Sequence, residues 1–186
     1  QTHVYSMIPS LFHEGMTDIE LQIEIEKASR LEGCLGQFRI AGNSMELYMA
    51  NLLSGDNADN PTPYDFAMGG EGLDPSLPVG CNGSVIRRGE TVMADINGNF
   101  TGYMTDMTRT FRVGEISSLA ETAHRCSIEI CRRLETEGKS GAKASDLYEI
   151  AVDMARQAGL HDYFMGHRQK AGFIGHGVGI EINELP

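Results

Sequence analysis

Basic residues are scarce in this chain: 15 Lys and Arg stand against 26 Asp and Glu, a formal net charge of −11. They form no run, which argues against a phosphate-tracking surface and so against nucleic acid as a partner. Long apolar runs are missing as well. No stretch approaches the roughly 18 residues a membrane span needs, and the amino terminus carries no charged-then-apolar signal pattern. Cysteine is sparse and unpaired: Cys34, Cys81, Cys126 and Cys131 show no Cys-x-x-Cys spacing. A zinc knuckle or a redox motif is thereby disfavoured, and a reducing cytoplasm is the expected compartment. Histidine is thin too, with six in 186 residues and none between His13 and His124. Low-complexity segments and internal repeats are absent. What remains is a chain with a 41% hydrophobic fraction, enough for one domain with a core.

The elements can be read from caps and periodicity. Thr17 with Glu20 three residues later is a capping-box pattern, and Leu21, Ile25, Ala28 and Leu31 follow at helical spacing, which predicts a helix over 18–32 that stops at Gly33. The alternation of Ile19, Leu21, Ile23 and Ile25 also suits a strand, but the cap and the glycine favour helix. From 36 to 91 the text is strand-sized pieces broken by Gly, Asn and Pro, so a β-rich and loop-rich region is expected; "GGEG" at 69–72 lacks a strand-to-helix setting and reads as loop. Ser118 and Glu121 suggest a second capping box, with Ala123, Cys126 or Ser127, Ile130 and Leu134 on one face until Gly138. Another helix is expected from Ser145 to Gly159, and a strand in the terminal "FIGHGVGIEINELP". The order of these elements predicts a mixed α+β fold.

One segment resists a bland reading. "ADINGNFTGYMTDMTRTF" puts Asp95 and Asp106 among strand-forming residues, where acids are poor formers and costly to bury alone. With Asn97-Gly98 as the turn the two acids would lie roughly 20 Å apart. With Asn99-Phe100-Thr101-Gly102 as the turn, Asp95 stands directly opposite Asp106, Cβ atoms about 5 Å apart, and the like charges repel unless a cation lies between them. The second pairing is the expectation adopted. "GHGVG" adds His176 between glycines, and two carboxylates with an imidazole suit Mn, Fe, Co or Zn better than Ca or Mg.

Taken together, "RRGETVMADINGNFTGYMTDMTRTFRVG", the two capped helices and "FIGHGVGIEINELP" resemble the pita-bread metallopeptidases, and within them the Xaa-Pro aminopeptidase and dipeptidase branch more than the methionine aminopeptidases or creatinases. The resemblance implies a curved antiparallel sheet backed by helices. It implies that Asp95 chelates one metal, Asp106 bridges two, and His176 binds the other, so that two divalent ions (Mn, Co, Zn or Fe) serve the full-length protein. Two further Glu ligands expected in the family fall after the Glu-Leu-Pro element, and relatives carry a separate domain before this one. The expectation is therefore that residues 1–186 are a single pita-bread domain truncated at both ends, holding metal weakly or not at all as it stands. The implied substrate is a peptide with proline after the first residue, and an uncovered sheet face predicts pairing with a second copy, a homodimer.

Two family histidines outside the metal set are replaced here. One position falls in "LPVGCNG", around Pro78, and the other on Asn183. Asn183 can still donate a hydrogen bond to a developing oxyanion but cannot carry a proton, so it is assigned as the catalytic stand-in. His167, beside Arg168 and Lys170, reads as a solvated loop residue; Glu181 and Glu184 read as structural or surface acids; Arg109 reads as a partner fixing the Asp106 carboxylate. Hence a rival expectation: a catalytically impaired pita-bread domain that binds a peptide or protein in its cleft.

Overall fold

A computed structural model of the chain describes residues 1–40, 48–64 and 69–184. Its elements run α1 (Thr2–Leu11), α2 (Asp18–Leu31), β1 (Ala50–Ser54), a 3-10 turn (Gly55–Asp59), β2 (Thr91–Phe100), β3 (Tyr103–Arg112), α3 (Ser118–Glu137) and α4 (Ala144–Gln157).

α2 begins with the box read in the sequence: the Glu20 N–H donates to the Thr17 hydroxyl at 3.3 Å and the Glu20 carboxylate accepts the Thr17 N–H at 2.8 Å. Leu21 and Ile25 are buried while Ile23 is 53% exposed, which settles helix against strand for this stretch. The preceding α1 was not anticipated, because Pro9 in its last turn reads as a breaker and no Ser, Thr, Asp or Asn precedes it. Its Val4, Tyr5 and Ile8 are buried at one-turn spacing, and tertiary packing of that face outweighs the missing donor of the proline.

The three strands form one antiparallel sheet in the order β1-β2-β3. Ala50 and Leu52 of β1 with Val92, Ala94 and Ile96 of β2 line the face that packs on α1 and α2. Side chains such as Leu52, Ile96, Leu21, Ile25 and Val4 are at most 2% exposed, and each contributes about 1.5–3 kcal/mol of apolar burial. Alternation along β2 and β3 then sends Asn51, Asp95, Asn97, Asp106 and Thr108 to the opposite face.

α3 and α4 pack on each other through Cys126, Ile130, Ala151, Ala155 and Leu160, a second core apart from the sheet's. Ser117, one residue earlier than expected, caps α3 by accepting the Ala120 N–H at 3.1 Å. The region 36–91 is less β-rich than predicted: among the described residues it contributes β1, the bridge Asp74–Leu77 and the Thr17–Val85 bridge. Nor does a terminal strand form among the described residues. Residues 177–184 instead fold back on themselves through a Gly177–Glu184 bridge, and tie to the rest by Met104 N–H to Gly179 O and Ile182 N–H to Arg39 O, both 2.7 Å.

Candidate functional site

The hairpin that carries the two acids turns at neither of the places weighed from sequence. β2 and β3 pair as Asp95 with Thr108, Asn97 with Asp106 and Phe100 with Tyr103, so the central turn residues are Thr101 (φ 57°) and Gly102 (φ 95°). A two-residue hairpin loop needs positive φ at both positions to match strand twist, and glycine at the second supplies it. The expected register would have put Phe100 and Thr101, neither of them glycine, at the two central positions. The favoured Asn97-Gly98 dipeptide instead lies inside β2, where a Cβ on Gly98 would meet Thr105 Oγ1 at 2.7 Å and Phe100 at 3.0 Å. The error is two residues, an even number, so both acids keep one face; they are diagonal neighbours rather than direct opposites.

Their chemistry follows from that placement. Burial, then the Asp106 charge, pushes the Asp95 carboxyl up from its ordinary 3.8 to about 6, and Asp106 is raised by burial while His176 pulls it back. Protonated, Asp95 donates to Asp106. On its other side Asp95 accepts the Thr108 hydroxyl at 2.7 Å. Asn51, the register partner of Asp95 on β1, is fully buried; its Oδ1 has no donor among the described residues, and a Cβ on Gly80 (φ 81°) would come within 2.6 Å of it.

His176 meets this pair from the 177–184 turn. Its Nε2 lies 3.5 Å from Asp106 Oδ2, while Nδ1 is 3.0 Å from the Gly177 carbonyl and Phe173 packs edge-on against the ring. A carbonyl only accepts, so Nδ1 carries the hydrogen and the Nε2 lone pair of the neutral ring faces the carboxylate. In that tautomer two lone-pair donors face each other, a geometry that a proton or a cation between them would suit.

The other candidates separate. Arg109 points to the helix-covered face and donates to the Thr108 carbonyl at 2.7 Å, so it is not the Asp106 partner expected. His167 pairs with Asp59 at 3.1 Å, in a loop that also brings Arg168 to the same carboxylate at 3.2 Å. Glu184 accepts the Ile180 and Glu181 N–H groups at 2.7 and 2.9 Å, a structural use inside its own turn. Asn183 sits beside Glu184 on an exposed part of that turn. Sequence reasoning missed Thr108, whose position two residues after Asp106 on the same strand face was the available signal.

Donor chemistry and electrostatics suit a divalent ion: two carboxylates held close without a Lys or Arg paired to either among the described residues, and an imidazole with its free nitrogen turned to them. The set is partial in geometry. Among the described residues no three His, Cys, Asp or Glu side chains close into one coordination cage; Asp106 reaches Asp95 on one side and His176 on the other.

The chain as a whole has counterparts among known proteins. The chain matches metallopeptidase family M24 over residues 2–186. The chain belongs to that family. It is 33% identical over 136 residues to an Xaa-Pro dipeptidase of Pyrococcus furiosus, covering 73% of this chain and 37% of that protein. To a probable dipeptidase, PepE, of Mycobacterium tuberculosis it is 28% identical over 166 residues, covering 84% of this chain and 41% of that one. Among solved structures, an X-Pro aminopeptidase from Thermotoga maritima superposes over 100% of this chain and 44% of its own with a TM-score of 0.75 at 23% identity. A prolidase from Pyrococcus horikoshii does so over 99% and 44% with a TM-score of 0.74 at 21% identity. The fold of this M24 chain is therefore the pita-bread fold expected from the sequence, and the chain spans less than half the length of these relatives. No described helix is long and apolar enough to cross a membrane.

Proposed function

We propose that the protein hydrolyses a peptide bond near the amino terminus of its substrate, on Xaa-Pro peptides, with Asp95, Asp106 and His176 as ligands of a dinuclear metal site. The observation that carries this reading is the cluster itself: two acids diagonal on one sheet face, with His176 Nε2 3.5 Å from Asp106. Membership of family M24 and the names of the relatives, Xaa-Pro dipeptidase and X-Pro aminopeptidase, support the substrate class. Divalent ions held there would acidify a bound water and polarise the scissile carbonyl. The chain's own residues orient the ligands: Thr108 fixes one oxygen of Asp95, the Gly177 carbonyl fixes the His176 tautomer, and Phe173 restrains its ring. Asn183 is proposed to donate to the developing oxyanion. Residues 1–186 form one part of a longer pita-bread unit, whose remaining segments complete the ligand set. Free, mostly buried thiols at Cys34, Cys81 and Cys126 support a reducing compartment such as the cytoplasm.

Full-length protein loaded with Mn or Co is expected to hydrolyse an Xaa-Pro dipeptide, and Asp106→Ala to abolish turnover. An Asp106→Ala variant with wild-type rate and bound metal would refute the assignment. A second reading, a binding module without catalysis, rests on the resemblance, which implies a family histidine around Pro78 in "LPVGCNG", a segment that holds none in this chain. That reading predicts peptide binding by calorimetry with no product formed at any metal concentration.

A further inference from the structure

We infer that Tyr5 is a positioning residue for the acidic pair: its hydroxyl, reaching from α1 into the back of the sheet, sets the spacing of β2 and β3 at the level where Asp95 and Asp106 project from the front. The inference rests on the metal-site reading above.

Tyr5 is 7% exposed and its ring belongs to the sheet core. The hydroxyl donates to Ala94 O at 3.1 Å and to Met107 O, carbonyls on two different strands. Ala94 immediately precedes Asp95 and Met107 immediately follows Asp106, so the single proton is shared between the two peptide groups that flank the acids. One helical turn earlier Gln1 donates its side-chain amide to Ile96 O, on the other side of Asp95. α1 thus holds the backbone of β2 on both sides of the first acid, and Tyr5 alone also holds β3.

Packing does not require the hydroxyl. A phenylalanine would fill the same core space without bringing a polar group that needs partners when buried. Both of its hydrogen bonds among the described residues go to backbone carbonyls on the strands bearing the acids. A shared donor across two strands fixes their separation at that level, and the diagonal distance between Asp95 and Asp106 follows from it.

The test is Tyr5→Phe in the full-length protein, beside Ile8→Val as a core-trimming control on the same helix and Asp106→Ala. Three readouts apply to each: Mn affinity by calorimetric titration, the visible spectrum of the Co-loaded form, and thermal stability without metal. Tyr5→Phe is expected to weaken Mn binding about tenfold or more and to alter the Co spectrum, as changes behind ligands do, while Ile8→Val lowers stability and leaves both metal readouts alone. Amide exchange at Arg109 and Ile96 should quicken in Tyr5→Phe, which reports strand spacing even if metal loading fails. Wild-type affinity, spectrum and exchange in Tyr5→Phe, with Asp106→Ala metal-free, would leave the metal site standing and overturn the role of Tyr5. Undiminished metal binding in Asp106→Ala would overturn both.

Discussion

Asp95 carries a pH signature in the metal-free protein. Its folded value of about 6 lies above the ordinary 3.8, so between these values the folded state binds more protons than the unfolded one. The sign is that of a raised acid: the metal-free fold loses stability as pH rises from about 4 to about 6 and gains none beyond. Asp106, Asp18 and Glu26, also raised by burial, act in the same direction, whereas Glu20 and Asp74, lowered by their hydrogen bonds, act oppositely. Comparison with Asp95→Asn isolates the contribution of this one carboxyl. Urea titrations of chelator-treated protein at several pH values should show wild type losing on the order of 2 kcal/mol relative to the variant across that window. A flat difference would show that Asp95 titrates normally.

At the scale of elements, the β2–β3 hairpin holds a removable strain. Thr101 occupies a left-handed position at φ 57°, which a β-branched residue adopts at a cost, and its side chain is exposed. Replacement by Asn would make an Asn-Gly turn suited to both positive φ values. Thr101→Asn should therefore stabilise the protein by about 0.5–1 kcal/mol, measured as a higher melting temperature, with the register unchanged. A lower melting temperature would mean that the Thr101 hydroxyl, which donates to Phe100 O at 2.7 Å, matters more than the backbone strain.

Across the whole molecule, the described residues form two cores. α1, α2 and the sheet form one core, α3 and α4 the other, and His176 is brought to Asp106 by a turn tied through Gly179, Ile180 and Ile182. With three proposed ligands and no closed cage among the described residues, residues 1–186 alone should bind Mn or Zn at least about tenfold more weakly than a longer protein carrying the segments proposed to complete the set. Calorimetric titration of both decides it; two tightly held ions per chain in the shorter form would mean that other side chains complete the site.

The sequence by itself determined the helices with strong signals, the shared face of Asp95 and Asp106, and the family. Thr17 and Glu20 cap one another within four residues, and a period of two survives a register error of two, so neither needed distant contacts. Only the tertiary structure decided the rest. α1 contradicts its own proline and stands because Val4, Tyr5 and Ile8 find the sheet. Asp18 reads as an ordinary first-turn acid, yet it is fully buried and accepts N–H groups from Asn82 and Gly83, a loop some sixty residues on. Arg109 was assigned to the wrong face by proximity along the chain. The approach of His176 to Asp106 depends on backbone bonds from Met104 and Arg39, which no local pattern encodes, because the partners of a turn's N–H and carbonyl groups are set by what the rest of the chain brings near.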